Sequence, residues 1–173
     1  MSNDRPKGLI SFMYWVMHDK PTNETFHRDQ PAVIGPFDLG KEIGTQVKKV
    51  SEVNADTQEG PKQAKKLFNE HLLKPFLEIW TAEVLSVQSE PPSQTGWLSF
   101  MYYVRHDRNS NKEFLNDPRT VMRKFKLSDT AFSLIDTIFK KPEGADAEGA
   151  AKAIFENHVV GELLRIEPDP TFW

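Results

Sequence analysis

The chain has 173 residues, of which 38% are hydrophobic, 27% charged and 11% aromatic. The apolar share can fill a core, which excludes wholesale disorder. Lys and Arg number 22 against 25 Asp and Glu, a formal charge of −3, which argues against a nucleic-acid partner. Without a single cysteine, disulfides, thiolate metal sites, iron–sulfur clusters and cysteine nucleophiles are excluded.

The chain opens on a polar stretch, Met1 to Lys7, with no targeting signal. The apolar run Leu9 to Met17 is too short to span a bilayer and is followed by His18-Asp19-Lys20. The expectation is a cytoplasmic protein with no membrane contact. Phe12, Tyr14, Trp15 and Val16 crowd this first segment, which reads as a short buried helix. Further on, Pro31, Gly35, Pro36, Gly40 and Gly44 interrupt the pattern. In a helix interior proline costs about 3 kcal/mol and glycine about 1 kcal/mol, so the middle helices here are expected to be shortened or irregular. Leu67, Phe68, Leu72 and Phe76 mark a later helix that Pro75 should kink, and Ala82 to Val87 reads as a short extended piece. Residues 89–95, with Pro91 and Pro92, read as a linker.

At Gly96 the chain begins again. Placing Gly8 over Gly96 and running without gaps to Leu39 over Leu127 gives 14 identities in 32 positions, where chance gives roughly two. They include Phe12/Phe100, Tyr14/Tyr102, His18/His106, Asp19/Asp107, Asn23/Asn111, Phe26/Phe114, Asp29/Asp117 and Phe37/Phe125. A later match sets Ala64 to His71 over Ala151 to His158. A repeat of this size implies two copies of one unit, residues 1–88 and 96–173.

In the second copy Trp97, Phe100, Met101 and Val104 follow helical spacing. The aromatic and β-branched content leaves a strand open, but the alternation is poor and a helix is favoured. Arg108 to Asn111 has turn composition. A short helix through Glu113, Phe114 and Leu115 follows. Asp117-Pro118 opens another helix, with Asp as N-cap and Pro at the first helical position. Ser128 caps the next, whose stripe is Phe132, Ile135, Ile138 and Phe139, and Lys141 to Gly144 ends it. The last helix is expected from about Ala147 to Ile166. The fold class expected is all-α: two pseudo-symmetric modules of about four helices, a pseudo-dimer within one chain.

The string from Phe100 to Asp129 combines an apolar helix, Asp107, Phe114, Asp117-Pro118, Val121-Met122-Arg123 and Leu127-Ser128-Asp129. It resembles the LigA family, the small α subunits of protocatechuate 4,5-dioxygenase-type enzymes. It is also similar to leader or binding domains of borosin-type peptide precursors. The first copy keeps Asp19, Phe26, Asp29, Val33, Phe37 and Leu39 of this pattern. The resemblance implies an accessory module that docks on a catalytic partner, oxidative or peptide-modifying, and brings over no catalytic residue.

Four histidines fall into matched pairs, His18/His106 and His71/His158, each near a carboxylate (Asp19, Asp107, Glu70, Glu156). Such donors suit zinc, iron or manganese, so a metal-dependent enzyme is one alternative. The other reading is structural: imidazoles that favour a helix C-terminus or bond a core carbonyl. No cofactor is expected unless these histidines hold zinc or iron. Tyr14, Trp15, Tyr102 and Tyr103 either line a ligand or partner surface, as in a carrier of apolar ligands, or fill the core. Arg105, Arg108, Arg119, Arg123, Lys124 and Lys126 form a basic group read as a solvated face. The stretch Glu167 to Trp173, ending in Phe172 and Trp173, is extended by Pro168 and Pro170. It reads either as a staple on the helices or as a recognition segment. Glycine-rich phosphate loops, dinucleotide fingerprints, nucleophile elbows and HExxH are all missing from the sequence.

Overall fold

The computed structural model describes residues 5–51, 59–73, 94–140 and 145–160, and these are helical with no strand among them. They divide into two compact units at Leu72/Leu73 and Val159/Val160, with Val160 assigned to the first. No described helix is long and apolar enough to cross a membrane.

The first unit runs α1 (Leu9–His18), α2 (Lys20–Arg28), α3 (Gln30–Ile34), a 3₁₀ turn (Gly35–Phe37), α4 (Gly40–Ser51) and α5 (Glu59–Leu67), which passes into a π-helical turn (Phe68–Leu72). Helix α1 is apolar on nearly every face and buries Leu9, Ile10, Phe12, Met13, Tyr14 and Val16, so it forms the axis of the unit. Its Phe12 ring meets Phe26 of α2 and Phe37 edge-on, at centroid distances of 5.6 and 5.7 Å. Edge-on pairs at this range add to the stabilisation from buried area alone.

The second unit runs α6 (Trp97–His106), α7 (Arg108–Asn116), α8 (Pro118–Lys124), α9 (Asp129–Lys140) and α10 (Ala145–Ile154), again passing into a π-helical turn (Phe155–Val159). Helix α6 is its axis. Phe100 meets Phe114 and Phe125 edge-on at 5.5 and 5.8 Å.

Short helices follow one another with one residue between them because aspartates cap them. Asp19 accepts from the Thr22 amide at 3.1 Å and Asp107 from the Ser110 amide at 2.7 Å. Asp29 and Asp117 do the same for Ala32 and Thr120 at 3.3 and 3.1 Å. Each satisfies a donor that a helix start would otherwise leave without a partner. Buried asparagines then tie neighbouring helices: Asn23 donates to the Val16 carbonyl at 3.0 Å and Asn111 to that of Val104 at 2.9 Å.

Several expectations change. Arg108 to Asn111 is the first turn of α7, because the Asp107 cap turns its Asn and Ser residues into a helix start. Helix α3 is indeed short, five residues against seven in α8. Helix α4, however, keeps twelve residues, as α9 does, in spite of Gly40 and Gly44. Burial of Val47 and Val50 supplies about 1.5–3 kcal/mol per side chain, enough to offset the glycine cost. The last helix starts at Ala145 and changes pitch at Phe155. Pro75, Ala82 to Val87, most of residues 89–95, Lys141 to Gly144 and the stretch from Gly161 to Trp173 lie outside the described residues.

Candidate functional site

The paired histidines sit in separate surroundings. His18 closes α1 beside Tyr14, with ring centroids 4.9 Å apart, and His106 closes α6 beside Tyr102 at 5.2 Å. Burial lowers both imidazoles to about 4, and for His106 the neighbouring Arg105 cation lowers it further. An imidazole so placed stays neutral at pH 7 and serves as a packed, polar ring. His71 lies in the first π-helical turn with Nε2 3.8 Å from Glu70 Oε2, while His158 lies in the second against Trp97 at 6.1 Å. Among the described residues no three His, Asp or Glu side chains gather where they could hold a metal ion.

The aromatics are placed mainly in the cores. Tyr102 is fully buried, and Tyr14 and Tyr103 are nearly so. Trp15 is half-buried beneath Arg5, whose guanidinium lies 3.9 Å from the ring centroid. Arg5 also reaches Thr22 Oγ1 at 2.8 Å and Asp19 at 3.4 Å, so it braces the joint between α1 and α2. Phe172 and Trp173 are outside the described residues. Of the basic group, Lys124 pairs with Glu113 at 2.6 Å and Arg119 lies over the Phe132 ring at 4.1 Å.

A cleft of about 470 Å³ opens between α3 and α4 in the first unit. Pro31 and Ile34 on α3 and Gly40 and Gly44 on α4 line it. Gln30, Lys41, Thr45 and Lys48 complete the lining. Gln30 Nε2 donates to Ser51 Oγ at 2.6 Å and ties the two helices at one end. The size falls within the usual range for small-ligand and side-chain pockets.

The sequence offset sets the cleft residues against larger ones. The 88-residue offset holds for burial through α4 and α9: Val47 and Ile135 are buried, as are Val50 and Ile138. At this offset Gly44 corresponds to Phe132 and Pro31 to Arg119. In the second unit Arg119 stacks on Phe132; the residues 88 positions earlier are a proline and a glycine. Charge reverses as well, since Lys41 and Lys48 stand where the second unit has Asp129 and Asp136. In the sequence, Pro31, Gly40 and Gly44 read as loss of helix quality. That they line one cleft together with Lys41 and Lys48 was hidden in the sequence, where each of the three reads singly as a helix breaker.

No family model matches the chain, and no curated protein or solved structure is significantly similar to it.

Proposed function

We propose that the chain is a tandem duplication of one helical module and serves as a non-catalytic accessory protein that docks a protein or peptide partner. The duplication is supported by local geometry that recurs at one offset. It includes the triad of phenylalanines, four aspartate caps, two asparagine ties and the left-handed residues Asp38 and Lys126 at φ 53° and 56°. The non-catalytic reading rests on what the ionisable groups do. The repeated aspartates are engaged as caps, and the two helix-terminal histidines are packed on tyrosines and kept neutral. By its resemblance to LigA-type subunits and peptide-precursor binding domains, the partner is an oxidative or peptide-modifying enzyme.

One observation supports the docking role: the first unit has a cleft lined by Pro31 and Gly44, and at the 88-residue sequence offset these positions are Arg119 and Phe132, which stack on each other. Two copies with like cores but unlike surfaces are what divergence of a binding face produces. The test starts with the tagged chain as bait in its native host. A captured protein is then purified and titrated against wild type and Gly44→Phe. Binding at micromolar affinity or better that weakens at least tenfold in Gly44→Phe supports the reading. Equal binding by both proteins, or substrate turnover by the isolated chain, refutes it.

A further inference from the structure

We infer that the exposed face of α7 is a second docking surface, suited to an acidic peptide segment that carries an apolar residue. It lies in the second unit and does not depend on the cleft between α3 and α4. Residues 105–126 hold seven basic and three acidic side chains, net +4. Residues 17–38, which stand 88 positions earlier, hold two and four, net −2. Core positions of the two stretches match, with Phe26 and Phe114 buried and Val33 and Val121 buried. The difference therefore lies on the surface, where Arg108, Lys112, Arg123, Lys124 and Lys126 are all exposed.

In the first stretch the charges are balanced locally: Lys20 pairs with Glu24 at 3.7 Å, and Asp38 with Lys7 at 3.7 Å. In the second, Lys112 stands at the position of Glu24 and Lys126 at that of Asp38. Arg108 and Lys112 are thus like charges four residues apart on one helix, an arrangement that repels. Lys126 keeps the left-handed backbone, φ 56°, that Asp38 has at 53°, a conformation in which aspartate is enriched and lysine is not. The carboxylates of this stretch are engaged elsewhere. Asp107 accepts from the Ser110 amide, Glu113 pairs with Lys124 at 2.6 Å, and Asp117 accepts from the amide and hydroxyl of Thr120 at 3.1 and 2.6 Å. Among the described residues no carboxylate pairs with Arg108, Lys112 or Lys126. Their charge is open to an anion from outside the chain.

Leu115 decides what kind of anion fits. It is 42% exposed, the one exposed large hydrophobic side chain among the described residues. Arg108, Lys112 and Leu115 stand at i, i+4 and i+7 on α7, which is one face about 10 Å long. The first unit has Lys20, Glu24 and His27 at these positions. A free phosphate would use the cations and leave Leu115 in water. Single-stranded nucleic acid asks for aromatic rings against its bases, and Tyr102, Tyr103, Phe114 and Phe125 of this unit are buried. The formal charge of −3 works against a duplex. A peptide with an apolar side chain between carboxylates meets all three residues. Its apolar group covers Leu115, and its carboxylates reach Lys112 and the paired donors of the Arg108 guanidinium. Arg123, Lys124 and Lys126 add positive potential that steers such a segment towards α7.

The test titrates the full chain into a fluorescein-labelled peptide, Gly-Glu-Glu-Leu-Glu-Asp-Leu-Glu-Gly, read by anisotropy. Two comparison peptides replace its leucines by serine, or its acidic residues by the matching amides. The first peptide binds saturably and more weakly as salt rises, and each comparison peptide binds at least tenfold more weakly. The double variant Lys112→Glu, Leu115→His, which installs the first unit's residues, weakens binding at least tenfold. Gly44→Phe leaves it unchanged. Unchanged helical circular dichroism shows that the variants are folded. A failure to saturate below roughly 1 mM, or binding indifferent to the double variant, overturns the proposal. Equal binding of the serine peptide also overturns it, since the surface then answers to charge alone. So does loss of binding in Gly44→Phe, which would put the peptide in the cleft. Tighter binding of a labelled oligothymidylate that depends on Lys112 and Leu115 overturns it as well, since the occupant is then a nucleic acid.

Discussion

The Gly96 amide donates to the Phe125 carbonyl at 2.8 Å, and the Gly8 amide donates to the Phe37 carbonyl at the same distance. The bond draws the start of α1 against the end of the 3₁₀ turn and the start of α6 against the C-cap of α8, and closes each phenylalanine triad. Gly8 and Gly96 make it at φ 102° and 97° with ψ 171° and 178°, a conformation populated almost solely by glycine. Gly96→Ala is expected to lose about 1–3 kcal/mol in urea unfolding. D-alanine introduced there by semisynthesis should restore most of it, and equal stability of both substitutions would show the dihedral to be immaterial.

Asn111 supplies a second testable strut. Its Nδ2 donates to the buried Val104 carbonyl at 2.9 Å. Asn111→Ala strips a buried acceptor of that donor, so a loss of about 1–3 kcal/mol is expected. Asn23→Ala, at the matching place, should cost a similar amount. Chemical denaturation of both variants checks this, and a loss under 0.5 kcal/mol, roughly the low end for one hydrogen bond, would contradict it.

Stability should fall on mild acidification. His18 and His106 are held at about 4 in the fold, against 6.5 when exposed. Above pH 6.5 the imidazoles are neutral in both states. As pH falls from 6.5 to 4 the unfolded chain binds protons that the fold refuses, so stability drops through that window and levels off below it. The loss from His106, which is 5% exposed, is roughly 3 kcal/mol. His106→Gln should flatten the dependence of unfolding free energy on pH between 6.5 and 4, and an unaltered slope would disprove this assignment.

Gly44→Ala should stabilise the chain. A Cβ there meets only Ile34 Cγ2 at an ordinary 3.5 Å. The methyl group restricts the unfolded chain and favours the helix, for a gain of about 0.4–1 kcal/mol. Thermal unfolding measures it, and a loss would mean that the cleft cannot admit even a methyl group.

The helices were legible because their apolar residues recur at helical spacing, as Trp97, Phe100, Met101 and Val104 do. Asp117-Pro118 was legible because cap and first-turn chemistry are local. Asp107 was not: beside His106 it reads as the end of one helix, whereas in the fold it also starts the next. The persistence of α4 was hidden because tertiary burial of Val47 and Val50 overrides glycine propensity. The cleft was hidden for a different reason. It is lined by Pro31, Gly40 and Gly44, which lie on two different helices and read singly as helix breakers.

The most direct measurement is the affinity of a captured partner for the wild-type chain and for Gly44→Phe. Binding weakened at least tenfold in the variant is expected, and equal binding by both proteins would contradict the account.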